Sequence, residues 1–69
     1  MTFEEITLEP KEVYVSVPNN GRKFVIMEAD EHIVRYYDVY EDGEIVIRSS
    51  SVIAFKLDIQ FGYLVKKEA

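Results

Sequence analysis

The one histidine of the chain, His32, lies at the end of a short acidic segment that also holds Glu28, Asp30 and Glu31. Carboxylates and an imidazole together have the chemistry to bind a metal ion. Spacing along a chain does not create a coordination site by itself, however, and the sequence has no second histidine. The segment therefore favours a solvated loop over a metal site, and we expect no cofactor.

A second group of candidate residues is Arg48 with the serines that follow it, Ser49, Ser50 and Ser51. A planar guanidinium can stack on a nucleobase or bind a phosphate through two parallel hydrogen bonds. Ser49 and Ser50 could add backbone or hydroxyl donors to such a site. The alternative is an ordinary surface arginine that precedes a polar turn.

A third group interleaves charge with aromatic rings, in the order Arg35, Tyr36, Tyr37. Proteins that bind single-stranded nucleic acids combine such residue types, because bases stack on aromatic side chains. The simpler interpretation is the alternation of a strand, in which Tyr37 packs inward and Tyr36 faces outward or into a subunit contact.

Catalytic motifs have little support in this sequence. There is no cysteine nucleophile, no glycine-rich phosphate loop, and no serine–histidine–aspartate arrangement in a recognisable context. Thirteen acidic residues offer many carboxylate pairs, but nothing in their spacing singles out one pair. The sequence therefore predicts a protein that is not an enzyme.

Composition sets further bounds on the 69 residues, which we expect to form one domain over residues 1–69. The apolar fraction of 48% argues against intrinsic disorder. There is no apolar run of membrane-spanning length, no apolar segment typical of a secretion signal, and no cysteine for a disulfide. These features favour the reducing cytoplasm and no membrane partner. The net charge of -5 opposes polyanion binding unless the basic groups gather on one surface.

The elements that must position the candidate residues are predicted from alternating β-branched and aromatic residues. Strands are expected over 13–17, 23–27, 32–40, 44–48 and 52–61, followed by a short extended stretch at 63–65. Asn20-Gly21 and Asp42-Gly43 predict tight turns. Thr2 and Glu5 have the spacing of a capping box, which favours a short helix over 3–8.

The sum is an all-β fold, a small, strongly bent, five-stranded, barrel-like sheet with a short N-terminal helix. Closure is expected because it removes unpaired strand edges. A domain of this size without disulfides is marginally stable alone, so association with other chains gains weight.

Two stretches resemble signatures of the Sm and Sm-like protein family. Residues 43–53 resemble the second signature, in which a strand ends in Ile-Arg-Gly and an apolar residue opens the last strand. Residues 13–15, the Asn20-Gly21 turn and residues 30–34 are similar to the first signature. The resemblance covers roughly residues 12–57.

The resemblance implies an Sm-like domain, related to SH3-like barrels, in a closed homo-oligomeric ring of about five to seven subunits. Such rings bind RNA or single-stranded nucleic acid without catalysis, in nucleic-acid processing. Asp30 would orient a loop and His32 would stack on a base, while Arg48, Ser49 and Ser50 complete the pocket. We expect the 44–48 strand to pair with the neighbour's 52–57 strand.

One further residue belongs to this implied site, and it departs from the family. Val34 stands where the family has an asparagine that contacts the base, so affinity or base preference is expected to differ. The ring contact would bury apolar side chains of the 52–57 strand, namely Ile53, Phe55 and Leu57.

The alternative function is a small acidic protein-interaction or regulatory module of the SH3-like type, without nucleic-acid binding. Its support is the net charge and the five tyrosines, a residue type that is enriched at interfaces. In this interpretation exposed tyrosines and carboxylates would bind a basic partner surface.

Overall fold

The computed structural model describes residues 3–67, which form a mostly β fold with one α-helix. The regular elements are, in chain order, β1 (Val13–Ser16), β2 (Arg22–Ala29), β3 (Ile33–Val39), β4 (Ile45–Ser51), α1 (Val52–Gln60) and β5 (Leu64–Lys66). Two single turns of 3₁₀-helix, Phe3–Glu5 and Val17–Asn19, precede β1 and β2 respectively.

The five strands form one antiparallel sheet in the order β4-β3-β2-β1-β5. Strands β1 to β4 follow one another as a meander, and β5 returns across the sheet to pair with β1. The two edge strands, β4 and β5, do not pair with each other, so the sheet is not closed as a barrel. The prediction of a five-stranded β fold is confirmed at this coarser level.

Glycine-containing turns join the strands as the sequence predicts. Asn20 and Gly21 have φ angles of 58° and 81° between β1 and β2. Gly43 has φ 89° between β3 and β4, where the Tyr40 amide donates to the Glu44 carbonyl at 2.8 Å. Positive φ costs glycine little, and asparagine tolerates it better than most residues.

The strand predicted over 52–61 is wrong, because the chain forms helix α1 there. Ser51 is the N-cap, and its hydroxyl accepts a hydrogen bond from the Ala54 amide at 3.1 Å. The inward-facing residues Val52, Phe55 and Ile59 follow helical spacing. Gly62, with φ 85°, lies just beyond the helix end.

The helix also removes the predicted ring contact between the 44–48 strand and a neighbour's 52–57 strand. No strand exists over 52–57, Phe55 is buried in the core of its own chain, and Ile53 is 64% exposed. That edge-to-edge contact is therefore wrong in the form in which the sequence predicts it.

The N-terminal helix predicted over 3–8 is reduced to the 3₁₀ turn Phe3–Glu5. Thr2, the capping residue in that prediction, lies outside the described residues. Ile6 follows the turn and is buried, so it anchors the segment to the rest of the chain.

The hydrophobic core lies between α1 and one face of the sheet, which we call the inner face. Its aromatic centre is formed by Tyr14, Phe24, Tyr36 and Phe55, with ring centroids 4.7 to 5.6 Å apart between neighbours. Tyr36 is thus buried and Tyr37 is exposed, the reverse of the predicted orientation. Burial raises the pKa of both Tyr14 and Tyr36, so both phenols stay neutral at physiological pH.

Candidate functional site

A buried carboxylate lies on the inner face of the sheet. Asp38 is fully buried on β3, and its two oxygens accept three hydrogen bonds from arginines. Arg22 binds it in a bidentate manner, with Nε 2.9 Å from Oδ1 and Nη2 3.0 Å from Oδ2. Arg48 Nε donates to Oδ2 at 2.7 Å. We call these three residues the Asp38 cluster.

Tyr40 connects the two arginines on the solvent side of this cluster. Its hydroxyl accepts a hydrogen bond from Arg48 Nη2 at 2.6 Å, and its ring lies 4.4 Å from Arg22 Cζ. Hydrogen bonds to Asp38 and then to Tyr40 raise the pKa of Arg48. The Asp38 cluster therefore holds Arg48 in a fixed position, which limits its freedom to reach a ligand.

An open groove of about 380 Å³ lies beside the Asp38 cluster. Its lining consists of Asn19, Asn20, Arg22, Tyr40, Glu41 and Asp42. Two carboxylates against one arginine make this lining net acidic. The groove is consequently poorly suited to an anionic ligand.

Asp30 shapes the loop between β2 and β3 through its side-chain hydrogen bonds. Its Oδ1 accepts hydrogen bonds from the amides of His32 and Ile33, each at 2.7 Å. These two bonds, the one from Ile33 first, lower the pKa of the Asp30 carboxyl. The loop leaves His32 exposed, and the His32 carbonyl accepts a bond from the Val52 amide at 2.8 Å. A role of these residues in RNA binding stays a prediction.

The six predicted site residues do not converge on one pocket within the chain. Val34 is fully buried, so it offers no surface to a nucleobase. Arg48 extends toward Asp38, away from the loop that carries His32. Ser50 shares the inner face with Arg48, while Ser49 lies on the opposite face by the alternation of β4. Asp30 and His32 lie together in the loop between β2 and β3, and Val34 lies opposite Ser50 in the β3–β4 ladder.

The sheet face opposite the core, which we call the outer face, is largely apolar. The strand register places its residues in two rows that cross the sheet. One row is Val13, Val25, Tyr37 and Ile47. The other is Val65, Val15, Lys23, Val39 and Ile45. Tyr37, Ile45, Ile47 and Val65 are 37 to 57% exposed, and in these two rows Lys23 alone is charged.

Several lysines lie close together beside β1 and β2. A groove of about 510 Å³ there is lined by Val13 and Val25 and by four lysines, Lys11, Lys23, Lys66 and Lys67. These are four of the eight basic residues of the chain. One acidic residue, Glu12, shares the groove and forms an ion pair with Lys66. Sequence reasoning missed this grouping because the four lysines come from both ends of the chain and from β2.

Within residues 3–67, no cluster of three or more histidine or acidic side chains is placed to hold a metal ion. The part of the chain that the structure describes also has no helix of the length and hydrophobicity that crossing a membrane requires. Comparisons of the chain with protein-family models, curated proteins and solved structures find no match.

Proposed function

We propose that this protein is a non-catalytic protein-interaction module whose outer face binds an apolar surface of a partner protein. The observation that carries the proposal is the pair of apolar rows on that face. An antiparallel sheet with one face on the core normally places polar residues on its other face. Contiguous exposed apolar patches of this kind mark interaction sites.

Charge around the outer face indicates the chemistry of the partner. Lys11 and Lys67 lie in the groove beside the outer face, and Lys23 lies within one of its rows, whereas Glu41 and Asp42 of the β3–β4 turn line a different groove. Cationic groups at the rim of an interface favour carboxylates on the partner, which speed association and fix its orientation. We therefore propose a partner with an apolar centre and acidic groups at its edge, instead of the basic partner expected from the net charge.

A photo-crosslinking experiment tests this function. A benzoylphenylalanine at position 37 should form a protein adduct in cells that naturally make this chain. The adduct should be lost when Val25→Lys places a charge in the apolar row. Ile53→Lys is the matched control, because Ile53 is exposed on α1 and lies away from the outer face. Equal adduct yields from the Val25 and Ile53 variants would contradict the proposal.

Binding of single-stranded nucleic acid is the second candidate, and the four-lysine groove favours it. Polyanion binding by an acidic chain requires a local concentration of cations, which this groove supplies. In this alternative the chain forms an Sm-like homo-oligomeric ring. The sheet would bend toward a barrel as the ring assembles. Pairing between β4 and β5 of neighbouring chains would then replace the contact that α1 removes.

Fluorescence anisotropy with a labelled oligo-uridine tests the second candidate. Binding should weaken as salt rises and should be lost in Lys23→Glu, with Lys56→Glu on α1 as the control of equal charge change. Loss in Arg48→Ala or His32→Ala instead would return the site to the residues implied by the Sm-like resemblance. Absence of binding at low salt would exclude this candidate.

A further inference from the structure

The edge of β4 that does not face β3, which we call the open edge, has unpaired backbone groups at alternate residues. The Tyr40 amide bonds to Glu44 and the Val52 amide bonds to His32, which sets the hydrogen-bonding phase of the β3–β4 ladder. Antiparallel strands alternate between residues that bond to the neighbour and residues that face away from it. The even-numbered residues of β4 therefore bond to β3, and the amides and carbonyls of Ile45, Ile47 and Ser49 point to the open edge.

This edge lacks the features that usually protect a strand edge from pairing. Such protection comes from proline, lysine, a bulge or a short strand. Over its seven residues β4 has neither proline nor lysine, and its pairing with β3 runs without a register shift. Its charged residue, Arg48, is directed across the inner face to Asp38. The other edge strand, β5, has three residues.

We propose that the occupant of this edge is a second copy of the chain, whose β4 pairs antiparallel with the first around a two-fold axis at Ile47. In this register Ile47 lies opposite the partner's Ile47, and Ile45 lies opposite the partner's Ser49. Each of these pairs exchanges hydrogen bonds through the groups that point to the open edge. The two sheets then form one continuous ten-stranded sheet.

Apolar contacts on the outer face favour this register. Ile45 and Ile47 are 57% and 55% exposed in the single chain. With Ile47 at the axis, each Ile45 becomes a diagonal neighbour of the partner's Ile47, within reach for side-chain contact. Four isoleucines then form one cluster across the axis.

Charges on the inner face favour this register over one centred on Arg48. Glu44 lies opposite the partner's Ser50 and diagonal to the partner's Arg48, so opposite charges lie near each other around the axis while Arg48 keeps its bonds to Asp38 and Tyr40. A shift of the axis to Arg48 would place the two Arg48 residues directly opposite each other, and like charges at such positions are unfavourable. Compared with the register centred on Arg48, the register centred on Ile47 is both the more apolar and the better matched in charge.

This inference goes beyond the proposed function, because the second copy pairs with the backbone edge of β4, whereas the partner protein binds the outer face. The two surfaces share Ile45 and Ile47. The dimer could fail while the outer face still binds its partner. Changes to the β4 backbone and to the charge of Glu44 address the dimer and leave Val25 and Tyr37 in place.

Hydrogen exchange measured by NMR tests the dimer without any substitution. The amides of Ile45, Ile47 and Ser49 should gain protection as concentration rises, while those of Val46, Arg48 and Ser50 should be protected at every concentration. Native mass spectrometry should give a dimer. A monomer at about 100 μM, or a ring of five or more chains, would overturn the proposal.

Two variants locate the interface. Ser49→Pro removes an amide that points to the open edge and keeps the ladder to β3, so it should weaken dimerisation about 10- to 100-fold, since it removes two intermolecular hydrogen bonds. Glu44→Lys should also weaken the dimer, whereas Glu41→Lys in the adjacent turn should not. A dimer unchanged by both Ser49→Pro and Glu44→Lys would place the contact elsewhere and overturn the assignment.

Discussion

Replacement of Asp38 by asparagine should destabilise the fold strongly, although the side chain keeps its volume. The substitution removes the charge that three arginine hydrogen bonds share, and it directs an amide N–H₂ group toward a guanidinium. A hydrogen bond to a charged group contributes about 1.5–3 kcal/mol, and breaking a buried ion pair costs about 3–5 kcal/mol.

Solvent makes the expected loss in the free energy of unfolding for Asp38→Asn smaller than these two ranges together would give. The Arg22 side chain is 24% exposed and that of Arg48 is 44% exposed, so water can solvate both after Asp38 is neutralised. We expect a loss of about 2–4 kcal/mol in the free energy of unfolding. A domain of this length has a total stability of about 3–10 kcal/mol, so the variant should lie near the limit of folding.

Urea unfolding followed by far-ultraviolet circular dichroism measures this loss. The midpoint should fall while the dependence on urea concentration stays unchanged. Asp58→Asn on α1 is the control, because it removes the same charge from an exposed position. In an Arg22→Gln background the effect of Asp38→Asn should shrink, since the two residues act through the same bonds. A loss below about 0.5 kcal/mol, or one equal to that of the control, would refute this account.

Three other substitutions test separate parts of the fold. Ser51→Ala removes the N-cap of α1 and should cost about 1 kcal/mol in urea unfolding, whereas Ser51→Thr should restore most of it; equal stabilities would mean that the cap contributes nothing. Phe55→Ala should cost about 3–5 kcal/mol and lower the thermal midpoint sharply, and a loss under about 1 kcal/mol would contradict its place in the core. Asp30→Asn should reduce the free energy of unfolding at neutral pH and change it least in acid. Folding lowers the pKa of the Asp30 carboxyl, so its stabilising contribution is present above its ordinary pKa. That contribution is lost as pH falls through the pKa of the folded state. A wild-type minus Asp30→Asn difference that is constant from pH 2 to pH 7 would exclude that linkage.

Local signals explain the part of the fold that the sequence predicts. Asn20-Gly21 and Asp42-Gly43 are each sufficient to specify a turn, because positive φ is a property of the dipeptide and its immediate neighbours. The alternation in β1 to β4 then follows from the turns. Bounds differ by one to three residues, as expected where strand ends depend on pairing partners.

The helix α1 could not be decided from alternation alone. Ile53, Phe55 and Ile59 satisfy the alternating pattern of a strand, whereas Val52, Phe55 and Ile59 satisfy the spacing of a helix. Ser51 is a good N-cap and Gly62 a good C-terminal signal, so the information was present but ambiguous. Packing on the inner face decides between the two.

The Asp38 cluster was not predicted because nothing in residue type or spacing distinguishes Asp38 from the other twelve acidic residues of the sequence. Its signal is positional: Asp38 continues the inward alternation of Val34 and Tyr36 along β3. The wrong inward assignment of Tyr37 concealed that pattern. The apolar outer face had a signal too, since Val13, Tyr14 and Val15 leave β1 apolar on both sides.

The pairing of β5 with β1 has a consequence for the order of folding. Val15 bonds with Val65, fifty positions later in the chain, whereas the turns within the β2–β4 meander are local. Contacts between distant segments form slowly because closing a long loop costs entropy before any contact is gained. During synthesis the edge of β1 that pairs with β5 therefore stays unpaired until β5 has left the ribosome. The incomplete sheet is the state most exposed to pairing with a strand of another chain.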